Sequence, residues 1–133
     1  MRKNWMTASL ILAGLVMMVG SNLVTTAAEK PGKVLRHLVM YKFREDLTPA
    51  QLQEVIDTFL SLEKSVDEVV SIEHGVNVSP EGKSEGLTHA FLVTFKDEKG
   101  RDAYLVHPAH QRYVDVAKNR REKVVVFDYW TAE

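Results

Sequence analysis

The chain has 133 residues, 45% of them hydrophobic, a formal net charge of −1 and no cysteine. Such a length favours one domain over two, and the near-neutral balance offers no basic face for nucleic acid. Without cysteine there is no disulfide, no thiol nucleophile and no sulfur for lipid attachment.

The amino terminus stands apart from the rest. Arg2 and Lys3 precede the apolar run LILAGLVMMVG, Leu10 to Gly20, which is followed by small and polar residues as far as Ala28. The run is short for a membrane span, and Thr26 with Ala28 suits a cleavage point, so residues 1–28 are expected to be an export signal. A retained amino-terminal anchor is the alternative. Residues 29–34 read as a linker and 35–131 as the domain. Loss of Arg2 and Lys3 takes the formal charge from −1 to −3. The expected product is periplasmic or secreted, with no stable membrane span after signal removal. A small domain without disulfides rests on packing alone, and a homodimer would add buried area.

From Val34 to Phe43 the chain alternates, with Leu35, His37, Val39, Tyr41 and Phe43 on one face and Val34, Arg36, Leu38, Met40 and Lys42 on the other. Both faces carry apolar groups, which predicts a strand covered on both sides. Thr48, Pro49 and Gln51 form a helix start with a capping box, and apolar residues recur at helical spacing from Leu52 to Val66. A strand follows over Val69 to Val78, with Val70, Ile72, His74, Val76 and Val78 in phase. SPEGKSEG, Ser79 to Gly86, is a polar connection. Thr88 to Phe95 is the third strand, with His89, Phe91, Val93 and Phe95 on one face. Asp97 caps a helix reaching Val106, Pro108 starts a further helical segment reaching Arg121, and Val124 to Trp130 closes the domain as a strand. The order predicts an α+β, ferredoxin-like sandwich in which helices cover one face of an antiparallel sheet. Two such sheets closing face to face would bury the other side and leave room for a pocket.

RHLVMYKF at 36–43, the helix after TPAQ at 48–51, EGLTHAFLVTF at 85–95, YLVHPAH at 104–110 and VFDYW at 126–130 resemble the stress-responsive A/B barrel domain family, also called Dabb or dimeric alpha/beta barrel proteins. The resemblance covers Leu35 to Trp130 and implies the dimeric barrel fold. Some members are stress-induced proteins without an established reaction. A polyketide cyclase in the family performs a cofactor-free intramolecular aldol condensation with a strand histidine, the second histidine of HPAH and a nearby tyrosine. Those positions fall here on His37, His110 and Tyr104, with His89 matching a further pocket histidine.

Read as side chains, His37 and His110 can move a proton and Tyr104 can donate to a carbonyl or developing oxyanion. Each can equally satisfy a buried backbone group. His107 and His110 bracket the first turn opened by Pro108, and two histidines make an incomplete metal site, so no metal is expected. Hydrogen bonding within the fold is the leading reading of His107. Tyr41, His89, Phe91, His107 and Tyr113 are candidate pocket residues, His74 a structural histidine, and Asp128 a salt-bridge partner or an orienting group. The leading functional expectation is binding of a small hydrophobic ligand in a pocket of the homodimer. The alternative is a cofactor-free cyclase, isomerase or lyase acting on a carbonyl compound, and a purely structural dimerisation module is the third.

Overall fold

The computed structural model describes residues 32–131. The expected export signal at 1–28 and the first part of the linker at 29–34 lie outside the described residues. The elements are β1 Leu35–Phe43, α1 Pro49–Leu60, α2 Leu62–Ser65, β2 Val69–Val76, β3 His89–Phe95, α3 Glu98–Val106, α4 Pro108–Ala117 and β4 Arg121–Trp130. The strands form one antiparallel sheet in the order β2-β3-β1-β4, the arrangement of a ferredoxin-like fold.

Local chemistry explains the clear boundaries. β1 buries every second side chain, as its alternation predicts. The Thr48 hydroxyl accepts the Gln51 N–H at 3.2 Å, and the Gln51 side-chain oxygen accepts the Thr48 N–H at 2.9 Å, so the capping box is complete. The Asp97 carboxylate accepts the Gly100 N–H at 2.8 Å at the start of α3.

Other boundaries differ from the periodicity. The single helix expected from Pro49 to Val66 is interrupted at Ser61, whose hydroxyl donates to the Thr58 carbonyl at 2.7 Å, a local bond that competes with continued helix. α4 stops at Ala117 rather than Arg121, and β4 begins at Arg121 rather than Val124. Tertiary bonds decide this: Arg120 donates to the Gln51 carbonyl at 3.0 Å and to Glu54 at 2.6 Å, while the Arg120 carbonyl accepts the Arg44 N–H at 3.0 Å. In β2, an irregularity between Val69 and Ser71 turns Val69 to the core and leaves Val70 exposed, so the expected in-phase set holds only from Ile72 onward. The strand ends at Val76, short of Val78.

The core lies between sheet and helices. Phe91, Val93 and Phe95 of β3 and Val55, Phe59, Leu62 and Val66 from the helical layer are essentially inaccessible. On the opposite face, register sets Leu92, Leu38 and Phe127 in one cross-strand row and Ala90, Met40 and Val125 in the next. Phe127 is 60% exposed in the single chain, so this apolar face is uncovered there.

Candidate active site

The site is organised by the break between α3 and α4. Pro108 has no N–H to continue a helix, and His107 caps α4 through Nδ1, which accepts the Ala109 N–H at 3.0 Å. That capture removes the donor the Leu105 carbonyl would meet in a continuous helix. His110 Nδ1 and Gln111 Nε2 donate to this carbonyl instead, at 3.1 and 2.8 Å. A carbonyl only accepts, so the proton of neutral His110 is on Nδ1 and the lone pair is on Nε2. His107 has the opposite tautomer. Burial lowers the proton affinity of His110 and nearby His37 adds to this, with the Leu105 carbonyl opposing. His110 is therefore a neutral base at ordinary pH.

His37 is set by sheet register, which places it opposite Asp128. Its Nδ1 donates to Asp128 Oδ1 at 2.6 Å, and Arg101 of α3 donates to Asp128 Oδ2 at 3.0 Å. The carboxylate oxygen accepts in this bond, so the imidazole proton it shares is on Nδ1 and the lone pair is on Nε2. The His37 ring is 5% exposed as a residue and lies edge-on to Tyr104, with centroids 5.9 Å apart.

Tyr104 is the third member. It is 1% exposed, with its ring centroid 4.4 Å from that of His110. Burial pushes its hydroxyl well above the usual tyrosine range, with Tyr41 adding to the shift, so it remains a donor. Among the described residues its hydroxyl has no hydrogen-bond partner. The Tyr113 hydroxyl donates to that of Tyr41 at 2.6 Å. Burial raises both groups, and Arg121 beside them works the other way.

These side chains share one cavity of about 350 Å³. His37, Tyr104, His110 and Asp128 occupy one part of its wall, Tyr41, Tyr113 and Arg121 another, and Leu105, Val124 and Val126 add apolar surface. The structure thus brings together all three residues expected to be catalytic, and Tyr41 and Tyr113 with them. It does not bring the other three candidates there. Phe91 is a core residue stacked on Phe59 with centroids 4.0 Å apart, and His107 caps α4. His89 lines a different cavity, of about 450 Å³, with Met40, Val76 and Leu87. Arg101 and Arg121 had no local signal in the sequence, and Asp128 proves to be both salt-bridged and orienting. The pairing of β1 with β4 sets the positions of Asp128 and Arg121, and the approach of α3 to Asp128 brings in Arg101.

His74 and His89 form a stacked pair with centroids 5.7 Å apart, and His74 also stacks on Phe91 at 4.6 Å. His74 Nε2 is buried without a partner among the described residues. Burial lowers the proton affinity of both rings, as it does for His110. The unfolded chain therefore takes up protons first as pH falls below about 6.5. Stability contributed by these histidines is full above that pH and declines until the folded-state values are passed. The melting temperature is expected to be lower at pH 5 than at pH 7.5, and His74→Phe is expected to narrow the gap. A gap of equal size in that variant would remove His74 as a cause.

Residues 35–131 match the model of the stress responsive A/B barrel domain. Olivetolic acid cyclase of Cannabis sativa is 34% identical over 95 residues, spanning 71% of this chain and 94% of the cyclase. A dimeric ferredoxin-like protein of unknown function from Jannaschia sp. CCS1 superimposes with a TM-score of 0.63 at 31% identity, covering 72% of this chain and 97% of that one. Hydroxynitrile lyase from Passiflora edulis gives a TM-score of 0.72 at 24% identity over 77% of this chain and 97% of the lyase, a likeness of fold.

Proposed function

The chain belongs to the stress responsive A/B barrel domain family, and from that premise we propose that it is a cofactor-free acid–base catalyst acting on a small, mainly apolar carbonyl compound. The observation that carries this reading is the convergence of a neutral His110, an Asp128-oriented His37 and a protonated Tyr104 on one cavity. His110 Nε2 removes a proton from the carbon next to a carbonyl, and the Tyr104 hydroxyl hydrogen-bonds the oxygen as enolate charge develops there. The enolate carbon then attacks a second carbonyl of the same molecule. The alkoxide so formed takes a proton back from His110, directly or through His37, and the site returns to its starting state. Asp128 holds the His37 tautomer and steadies its cation when the ring carries the proton.

Ligand binding without turnover is the second reading. It draws on the apolar side of the same cavity, where Val124 and Val126 are 36% and 52% exposed. Exchange of the α-protons of 2-octanone in D2O, followed by NMR, separates the two. Catalysed exchange supports the acid–base reading, and saturable binding without exchange would leave only the binding function.

The apolar face bearing half-buried Leu38, Met40 and Leu92 and exposed Phe127 is proposed to close against a second copy, and residues 1–28 are proposed to direct export. The Jannaschia relative's description as dimeric supports the first point. Native mass spectrometry of the exported protein is expected to give a dimer of chains beginning at Glu29. A monomer, or a chain retaining the leader, would overturn the corresponding point.

A further inference from the structure

β4 departs from regular pairing next to the site. Lys42 pairs with Lys123, and regular register would then set Phe43 opposite Glu122; instead Phe43 pairs with Arg121. The extra residue is Glu122, whose carboxylate meets the Lys42 ammonium at 2.6 Å. Bulges re-aim side chains in this way. Here the shift brings Arg121, in place of an acidic residue, to the helix-covered side, where it lines the cavity beside Tyr41. No carboxylate pairs with Arg121 among the described residues. Asp128, the acidic residue on the cavity wall, is engaged by His37 and Arg101.

The cavity thus has two polar regions of different chemistry. One holds the acid–base groups around His37. The other holds half-buried Arg121, which has no carboxylate partner among the described residues, beside two tyrosine hydroxyls. His37 and Tyr41 are four strand positions apart, about 13 Å along β1. Between the regions the register places Val39 of β1 and its partner Val126 of β4, both on the cavity wall. An anionic group at Arg121 would gain charge-assisted hydrogen bonds from the planar guanidinium fork.

We propose that the cavity takes an elongated, mainly apolar carbonyl compound bearing a carboxylate, with Arg121 as the residue that binds the carboxylate while the carbonyl lies among His37, Tyr104 and His110. This rests on the cavity being a ligand site, as argued above, and adds the chemical class of the ligand. Arg121 determines specificity and takes no proton in the reaction.

Calorimetric titration of the folded protein with 8-oxononanoate and with its methyl ester tests the assignment. The two probes share a ketone and a chain length and differ in charge. The protein is expected to bind the carboxylate about tenfold or more tightly than the ester, the scale of one or two charge-assisted hydrogen bonds. Arg121→Gln is expected to abolish that preference while ester binding changes little, and Arg121→Lys to keep part of it. Should Arg121→Gln fail to fold, the wild-type preference and its retention in Arg121→Lys carry the test. Equal binding of the two probes, or an undiminished preference in Arg121→Gln, overturns the role of Arg121 and leaves the ligand site standing. Binding of neither probe overturns both.

Discussion

Replacing His110 by glutamine is expected to lower catalysed α-proton exchange of 2-octanone by about 10²- to 10⁴-fold, the usual contribution of a positioned general base. The substitution removes the basic Nε2 and little else. Gln111 still donates to the Leu105 carbonyl at 2.8 Å, so the broken helix end keeps a partner and the fold is expected to survive. A thermal melt run beside the NMR measurement separates chemistry from unfolding. The pH dependence gives a second check. Burial lowers the proton affinity of His110, so its neutral form persists below the ordinary histidine value of about 6.5. Exchange is therefore expected to hold steady from neutral pH into the mildly acidic range and to fall only below it. Full exchange in the glutamine variant would remove His110 as the base.

The largest loss of stability is expected from Phe59→Ala. Phe59 is 1% exposed, its ring stacks on Phe91 at 4.0 Å and meets Tyr113 edge-on at 4.8 Å, and it also lines the cavity. Truncation removes buried apolar surface and leaves a void that the neighbouring rings fill only in part, a loss of about 3–5 kcal/mol. Against a typical total of roughly 5–15 kcal/mol this is a large fraction. A domain of this size is expected to melt lower by about 15 °C or more. Denaturant titration of Phe59→Ala beside Phe59→Leu measures it, and a loss below about 1 kcal/mol in the alanine variant would contradict the packing described. Because Phe59 supports Tyr113, the same variant should loosen the Tyr41–Tyr113 hydrogen bond.

The elements governed by neighbouring residues were readable in the sequence. Alternation from Leu35 to Phe43 identified the buried face of β1, and Thr48 with Gln51 identified the start of α1. Pro108 marked the break that positions His110. What could not be read depends on residues far apart in the chain. His37 and Asp128 are 91 positions apart and Tyr41 and Tyr113 are 72 apart, so their bonds exist only once the register is set. Arg121 looked like the end of a helix because nothing in its neighbourhood announces that Arg120 is anchored to Gln51 and Glu54, or that β4 bulges beside Phe43. The polar residues of YLVHPAH at 104–110 were visible as a group, but their division of labour was not. His107 and His110 are three positions apart, yet one caps a helix through a bare nitrogen and the other donates from the corresponding atom.

That division gives the break at Pro108 a further meaning. Replacing Pro108 with a helix-forming residue and so joining α3 and α4 would restore the Ala109 N–H to the Leu105 carbonyl, a change that helix energetics favours on its own. It would also set the Ala109 N–H in competition with His110 and Gln111 for the acceptor that fixes the His110 tautomer. Selection for a more heat-resistant chain and selection for a well-aimed base therefore pull this segment in opposite directions. A sequence optimised for stability alone would be drawn toward mending the very discontinuity on which the histidine depends.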